Sequence, residues 1–261
     1  MFLTGVYGHC MARRPLKERF DDFCQRYPGS VAIDSLENPP KNVQKGDYLF
    51  ENQTIVCEVK CLEADMSQKL LEAMKADGIN PEKLTKGRHM IEDLYLKLSK
   101  KAKGKNRYRR LVKKVTSSVE KAMDDATNQI RDTKKHLGIP HADGLLVILN
   151  EDVNIIGQPL LKERVDVTVM KKNAVGQPYH SEITRILHIG ETNAVGTPAG
   201  DMRINVVLSN PHASAESDID GFVKKLAQAW GEYNGEPLTE DAGIDVADLM
   251  KNSRLYIDVL R

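Results

Sequence analysis

Residues 47–60 constrain this chain more than any other stretch: Asp-Tyr-Leu-Phe-Glu-Asn-Gln-Thr-Ile-Val-Cys-Glu-Val-Lys. Two apolar, β-prone runs flank the turn residues Asn52-Gln53, the pattern of a β-hairpin. A loop of two or four residues places Phe50 opposite Ile55 and Asp47 opposite Glu58. Side chains alternate faces along a strand. Leu49, Val56, Glu58 and Lys60 should therefore share the face of Asp47, while Ile55, Cys57, Val59 and Cys61 take the other. Two acids and an ammonium then converge on one patch. The strands around them are strongly apolar, which argues for a central hairpin. The plainer alternative is a solvated strand edge that happens to carry Glu and Lys.

The rest of the chain reads as alternating helices and strands. Leu16, Phe20, Phe23, Cys24 and Tyr27 recur at helical spacing over 15–28, and Pro28-Gly29 stops the run. Residues 30–34 suit a first strand. From Glu63 to Lys114 the sequence is polar and helix-rich, with interruptions expected near 78–81 and near Gly104, and it looks like an inserted helical arm. Val115, Val119, Ala122, Met123, Ala126, Ile130, Thr133 and Leu137 make the stripe of a long amphipathic helix, and Gly138 supplies its stop. The apolar run 144–149 suits a strand covered on both faces. Further strands are expected over 165–170, 183–189, 204–208 and 256–260, with a helix near 219–233. The loop 191–201 reads as irregular and mobile. The whole is read as one domain.

Charge is unevenly placed. The net charge is +1, yet residues 97–114 carry ten Lys/Arg and no acid. Between Glu216 and Asp248 there are nine acids and only Lys224 and Lys225 as bases. This asymmetry suggests one face for a polyanion; a solvated lysine-rich helix pair explains it equally. No run of about 18 apolar residues suggests a membrane span. Met1 to Gly8 lacks a charged leader, and the four cysteines do not form a disulfide or zinc pattern. The expectation is a cytoplasmic, reduced protein with no membrane partner.

Asp47 and Glu58 fit what Mg²⁺ asks of a protein: one or two carboxylates, with water and substrate oxygens completing the shell. The Val59 carbonyl could add a ligand. Lys60, two residues beyond Glu58 and on its face, could orient a water or neutralise charge on phosphorus.

Asp47, the strand, Glu58-Val59-Lys60 and the preceding helix resemble the core of the PD-(D/E)XK nuclease superfamily. That restriction-endonuclease-like fold also houses Holliday-junction resolvases and RecB-type nuclease domains. Its α-β-β-β-α-β order maps onto residues 15–28, 30–34, 47–51, 54–61, 115–137 and 144–150. The resemblance implies an α/β chain with a mixed central sheet: a core over 15–62 and 115–150, a basic helical insertion over 63–114 and a β-rich C-terminal extension over 151–261. Gly46 departs from the pattern, standing where the family's proline often stands. The insertion is a larger departure.

By this resemblance Asp47 and Glu58, with the Val59 carbonyl, would hold Mg²⁺ or Mn²⁺, and Lys60 would assist catalysis. A further acid from the first helix would be Asp21 or Glu18; helical-wheel position favours Asp21. Gln129 resembles a glutamine that several subfamilies place on the helix after the Glu-x-Lys strand. The implied activity is phosphodiester hydrolysis, with DNA favoured over RNA and little sequence preference. Lys100, Lys101, Lys103, Lys105, Arg107, Arg109 and Arg110 would contact the phosphate backbone. A homodimer is compatible with this reading, and so is a catalytically inactive nucleic-acid-binding scaffold.

Overall fold

The structure is a computed structural model that describes residues 14–36, 44–62, 67–84, 89–100, 102–191, 194–197, 200–203 and 205–235. Helix α1 (Leu16–Arg26) forms where Leu16, Phe20, Phe23 and Cys24 share one face, and all four are buried. It ends at Tyr27, whose backbone is extended, and Gly29 follows at φ 77°. Strand β1 (Val31–Ala32) is followed in chain order by β2 (Tyr48–Phe50) and β3 (Ile55–Cys61). Helices α2 (Ser67–Ala76), α3 (His89–Leu98) and α4 (Ala102–Val115) come next, then the long α5 (Ser117–Leu137). Gly138 closes α5 in the left-handed conformation at φ 68°. The remaining elements are β4 (Asp143–Asn150), α6 (Gln158–Val169), β5 (Arg185–Gly190), the hairpin β6 (Ala194–Thr197) and β7 (Gly200–Arg203), β8 (Val206–Ser209) and α7 (Ile219–Tyr233).

Six strands form one open mixed sheet in the order β1-β2-β3-β4-β5-β8. β3, β4 and β5 are parallel; β1, β2 and β8 run antiparallel to their neighbours. The parallel centre explains why β4 is buried at every position. On one face Leu49, Val56, Leu146, Ile148 and Ile186 pack with α5, α6 and the helices of the insertion. On the other, Tyr48, Phe50, Ile55, Cys57 and Val59 pack with α1 and α7. Phe20 meets Trp230 edge-on at 5.4 Å, joining α1 to α7. Each such fully buried aromatic contributes roughly 2–3 kcal/mol.

Within the paired residues the hairpin register is the one its loop length predicts. Phe50 pairs with Ile55, Leu49 with Val56 and Tyr48 with Cys57. The regular pairing ends there: the Asp47 N–H donates to the Cys57 carbonyl at 2.9 Å, the same residue that pairs with Tyr48, so the Asp47–Glu58 pairing expected from the sequence is not part of the ladder. The loop has four residues, of which Glu51, Asn52 and Gln53 have positive φ.

Several expectations need correction. Residues 165–170 are not a strand, because 158–169 form α6. Val165 and Val169, four apart, are buried, while Val167 is 54% exposed, as a helix requires and a strand does not. The first strand is confined to Val31–Ala32, with Ile33–Ser35 turning as a 3₁₀ helix. The break expected near Gly104 falls just ahead of it, between α3 and α4, and Gly104 itself lies inside α4. A Cβ there would stand 1.9 Å from the Leu98 carbonyl oxygen, so glycine lets the end of α3 lie against α4. The loop 191–201 contains the β6–β7 hairpin. The C-terminal part is α/β rather than β-rich, since α6 and α7 belong to it. The insertion is packed rather than an extended arm: Leu70, Met74, Leu94, Tyr108 and Leu111 join the core that α5 lines. The expected strand at 256–260 lies outside the described residues.

Candidate active site

Asp47, Glu58 and Lys60 meet where β2 begins and β3 ends. Glu58 is 2% exposed. Its Oε1 lies 2.7 Å from the Lys60 ammonium, and its Oε2 is buried without a hydrogen-bond partner among the described residues. Burial, reinforced by the Asp47 carboxylate and opposed by Lys60 and Lys17, pushes the Glu58 carboxyl up to about 8. Asp47 Oδ2 accepts the Val59 N–H at 2.8 Å. Burial raises the Asp47 carboxyl as well, against the Lys17 ammonium and the Val59 N–H.

The Val59 backbone faces the β2 side. Thr54 O and Leu62 N bond to β4, and alternation along a strand turns the odd-numbered residues between them the other way. Its N–H is spent on Asp47, so its carbonyl shares the side on which Asp47 stands.

Gln129 reaches the site from α5. Its Oε1 accepts from Lys60 Nζ at 2.5 Å, and its Nε2 donates to the Lys45 carbonyl at 2.9 Å. One turn later Thr133 Oγ1 accepts the Gly46 N–H at 2.8 Å. Helix α5 thus grips the two residues before Asp47. A Cβ at Gly46 would lie 3.0 Å from the Cys57 carbonyl oxygen and 3.2 Å from Val56 Cγ1. Proline would bring a ring into that space and lose the N–H given to Thr133. Glycine is what this backbone accepts.

Of the two first-helix acids, Asp21 faces the site and Glu18 is exposed. Asp21 Oδ1 accepts from Tyr48 OH and from Lys17 Nζ, both at 2.8 Å. Sequence reasoning passed over Lys17 and Tyr48. The spacing of Lys17 to Asp21 (i, i+4) is visible in the sequence, but the side of α1 that meets the sheet is set by docking.

The carboxylates of Asp21, Asp47 and Glu58 each rest on an internal partner. Among the described residues no three His, Cys, Asp or Glu side chains converge closely enough to share an ion. The donor set nevertheless fits a hard divalent cation: all-oxygen ligands, with a buried carboxylate oxygen of Glu58 left unpaired.

The basic helix differs from its sequence reading. Arg107 and Arg110 both turn onto Asp77, Arg110 at 2.7 Å, so their guanidinium groups tie α4 to the end of α2. Tyr108 is buried at 5.1 Å from Tyr95 and offers no stacking surface. Lys100, Lys103, Lys105 and Arg109 are exposed, as are Lys113 and Lys114. Lys101 lies outside the described residues. A cleft of about 740 Å³ between α2 and α4 is lined by Lys69, Arg110, Lys113 and Lys114 together with Glu72. Among the described residues no helix is long and apolar enough to cross a membrane.

No protein-family model, curated protein or solved structure matches this chain.

Proposed function

We propose that this chain is a metal-dependent nuclease of the restriction-endonuclease-like fold, hydrolysing phosphodiester bonds in DNA with little sequence preference. The observation that carries the reading is the Glu58 carboxylate, buried beside Asp47 with one oxygen unpaired and the other on Lys60. A buried acid without a full set of partners is costly as a structural element, and a cation would satisfy it. Asp47, Glu58 and the Val59 carbonyl hold Mg²⁺ or Mn²⁺, with Asp21 alongside. The ion supplies Lewis-acid polarisation of the phosphodiester.

The chain's own residues do the rest. Lys60, fixed by Gln129, orients the attacking water and offsets negative charge growing on the phosphoryl oxygens. Water oxygen bonds to phosphorus as the bond to the leaving oxygen breaks. The water gives up a proton and the leaving oxygen gains one, so a diester and water yield a monoester and an alcohol. Lys103, Lys105 and Arg109 lie on the exposed side of α4, where they can meet a phosphate backbone without reading bases.

The test is purified protein with Mg²⁺ or Mn²⁺ against linear, circular, single-stranded and branched DNA, with RNA in parallel. Metal-dependent cleavage of any DNA form supports the reading; cleavage of RNA alone replaces the substrate, and no cleavage of either rejects the enzyme.

One observation favours a second reading, a catalytically inactive nucleic-acid-binding scaffold of the same fold. All three acids are engaged internally, on Lys60, the Val59 N–H and the Tyr48–Lys17 pair. Calorimetry with Mn²⁺ separates the two: the scaffold binds DNA and no ion.

A further inference from the structure

The cleft between α2 and α4 stands apart from the acid site, and its charge is not balanced from within. Four cations face one acid there. Arg110 is already engaged by Asp77, and Glu72 accepts from Gln68 at 3.1 Å. Lys69, Lys113 and Lys114 are exposed, and none of the three forms an ion pair among the described residues. The other lining residues on α2, Ala73 and Ala76, are short and leave room for a bulky anion. Arg110 and Lys114 lie at least about 100° round α4 from Lys105 and Arg109, so the cleft uses a separate flank of the basic helix.

We propose that this cleft seats the phosphate backbone of double-stranded DNA, with Lys69, Lys113 and Lys114 as the contacts. The inference rests on the reading of the chain as a nuclease acting on DNA. Ser117 lines the cleft and opens α5, the helix whose Gln129 holds Lys60. From Ser117 to Gln129 that helix rises about 18 Å. One strand of a duplex covers this in about five phosphates, so a single duplex can reach both places. Among the described residues no aromatic side chain lines the cleft, and Tyr95 and Tyr108 are buried against each other. Unpaired bases would find nothing to stack on, whereas a duplex keeps its bases to itself and presents phosphates. Lysines meet those as point charges, without reading sequence.

The experiment is fluorescence anisotropy of the full chain with a labelled duplex several helical turns long, and with its single strand, in EDTA to prevent cleavage. Salt is varied between about 50 and 200 mM, where each phosphate contact adds about 0.9 to the slope of log K against log salt. The triple variant Lys69→Gln/Lys113→Gln/Lys114→Gln should bind the duplex on the order of 100-fold more weakly at about 100 mM salt, with a slope shallower by about three. Each single substitution should flatten the slope by about one, which keeps the test open if the triple variant does not fold. Lys224→Gln/Lys225→Gln removes exposed charge from α7, on the other face of the sheet, and should keep the wild-type slope. A cleft variant that loses no more than the α7 variant overturns the seat, and metal-dependent cleavage by wild type then leaves the nuclease reading standing. A single strand bound as tightly as the duplex overturns it too. A wild type that binds no DNA sinks both.

Discussion

The Lys60 ammonium lies 2.7 Å from Glu58 Oε1 and 2.5 Å from Gln129 Oε1, so a single lysine joins strand β3 to helix α5 at the candidate site. Gln129 also holds the Lys45 carbonyl, which ties the same helix to the backbone leading into Asp47. Truncating it frees Lys60 to swing and loosens the approach to Asp47. Gln129→Ala should lower kcat about 10- to 100-fold while KM changes little, because positioning rather than substrate binding is lost. Steady-state cleavage kinetics check this, and an unchanged kcat in Gln129→Ala would remove the glutamine from the mechanism.

Glu58 makes folding stability depend on pH. Its carboxyl sits at about 8 in the fold against an ordinary 4.5. Between those values the native chain keeps a proton that the unfolded chain releases. The contribution is complete below about pH 4.5 and is lost as pH rises through 8, a change on the order of 4 kcal/mol. In a chelating buffer, urea melts from pH 5 to 8.5 should show wild type weakening, and Glu58→Gln should show a flatter profile. Parallel profiles for the two proteins would mean that Glu58 ionises normally.

His188 acts in the opposite pH range. It stands on β5, fully buried, with neither ring nitrogen hydrogen-bonded among the described residues, and burial lowers it to about 4. The unfolded chain takes up a proton near 6.5 that the fold refuses, so stability is lost as pH falls from 6.5 through 4. His188→Leu removes both this loss and the unpaired polar atoms. At pH 4.5 it should be about 2 kcal/mol more stable than wild type, read from denaturant midpoints. A destabilised Leu variant at that pH would show that the imidazole has a partner it needs.

Arg19 carries a buried ion pair on the far side of the sheet from α5. It is 2.6 Å from Glu191 Oε1, with side-chain exposures of 7% and 14%, and it donates to Asn234 Oδ1 at 2.5 Å. These contacts lock α1 to the end of β5 and the end of α7. Arg19→Met removes the guanidinium partner of the largely buried Glu191 carboxylate and should cost about 3–5 kcal/mol. Chemical denaturation measures it, and a loss below 1 kcal/mol would show that Glu191 finds water or another donor.

The hairpin register is legible in the sequence because the turn residues Asn52-Gln53 set a short loop between two β-prone runs, and a one-residue slip would turn Glu58 and Lys60 onto the α1 face. Gln129 is legible for a related reason: it borders a long, regular helical stripe. Residues 165–169 are not. Val165, Val167 and Val169 alternate with Asp166 and Thr168 as a strand would, yet Val165 and Val169 also lie one helical turn apart. Packing against α5 selects the helix, and that choice is tertiary. The role of Arg107 and Arg110 is hidden in the same way. Asp77 lies 30 residues from Arg107 and 33 from Arg110, and only the packing of α2 on α4 brings them together. The choice between Asp21 and Glu18 likewise waits on how α1 docks, which the Tyr48 hydroxyl reports.

The central claim is that Asp47, Glu58 and Lys60 form a hydrolytic site, and single-turnover cleavage of DNA in Mn²⁺ tests it most directly. Wild type and Lys60→Ala, each confirmed as folded by its thermal melt, are compared at the same protein and metal concentrations. Wild type should cleave and Lys60→Ala should be at least about 100-fold slower; equal residual cleavage by the two proteins would contradict the site.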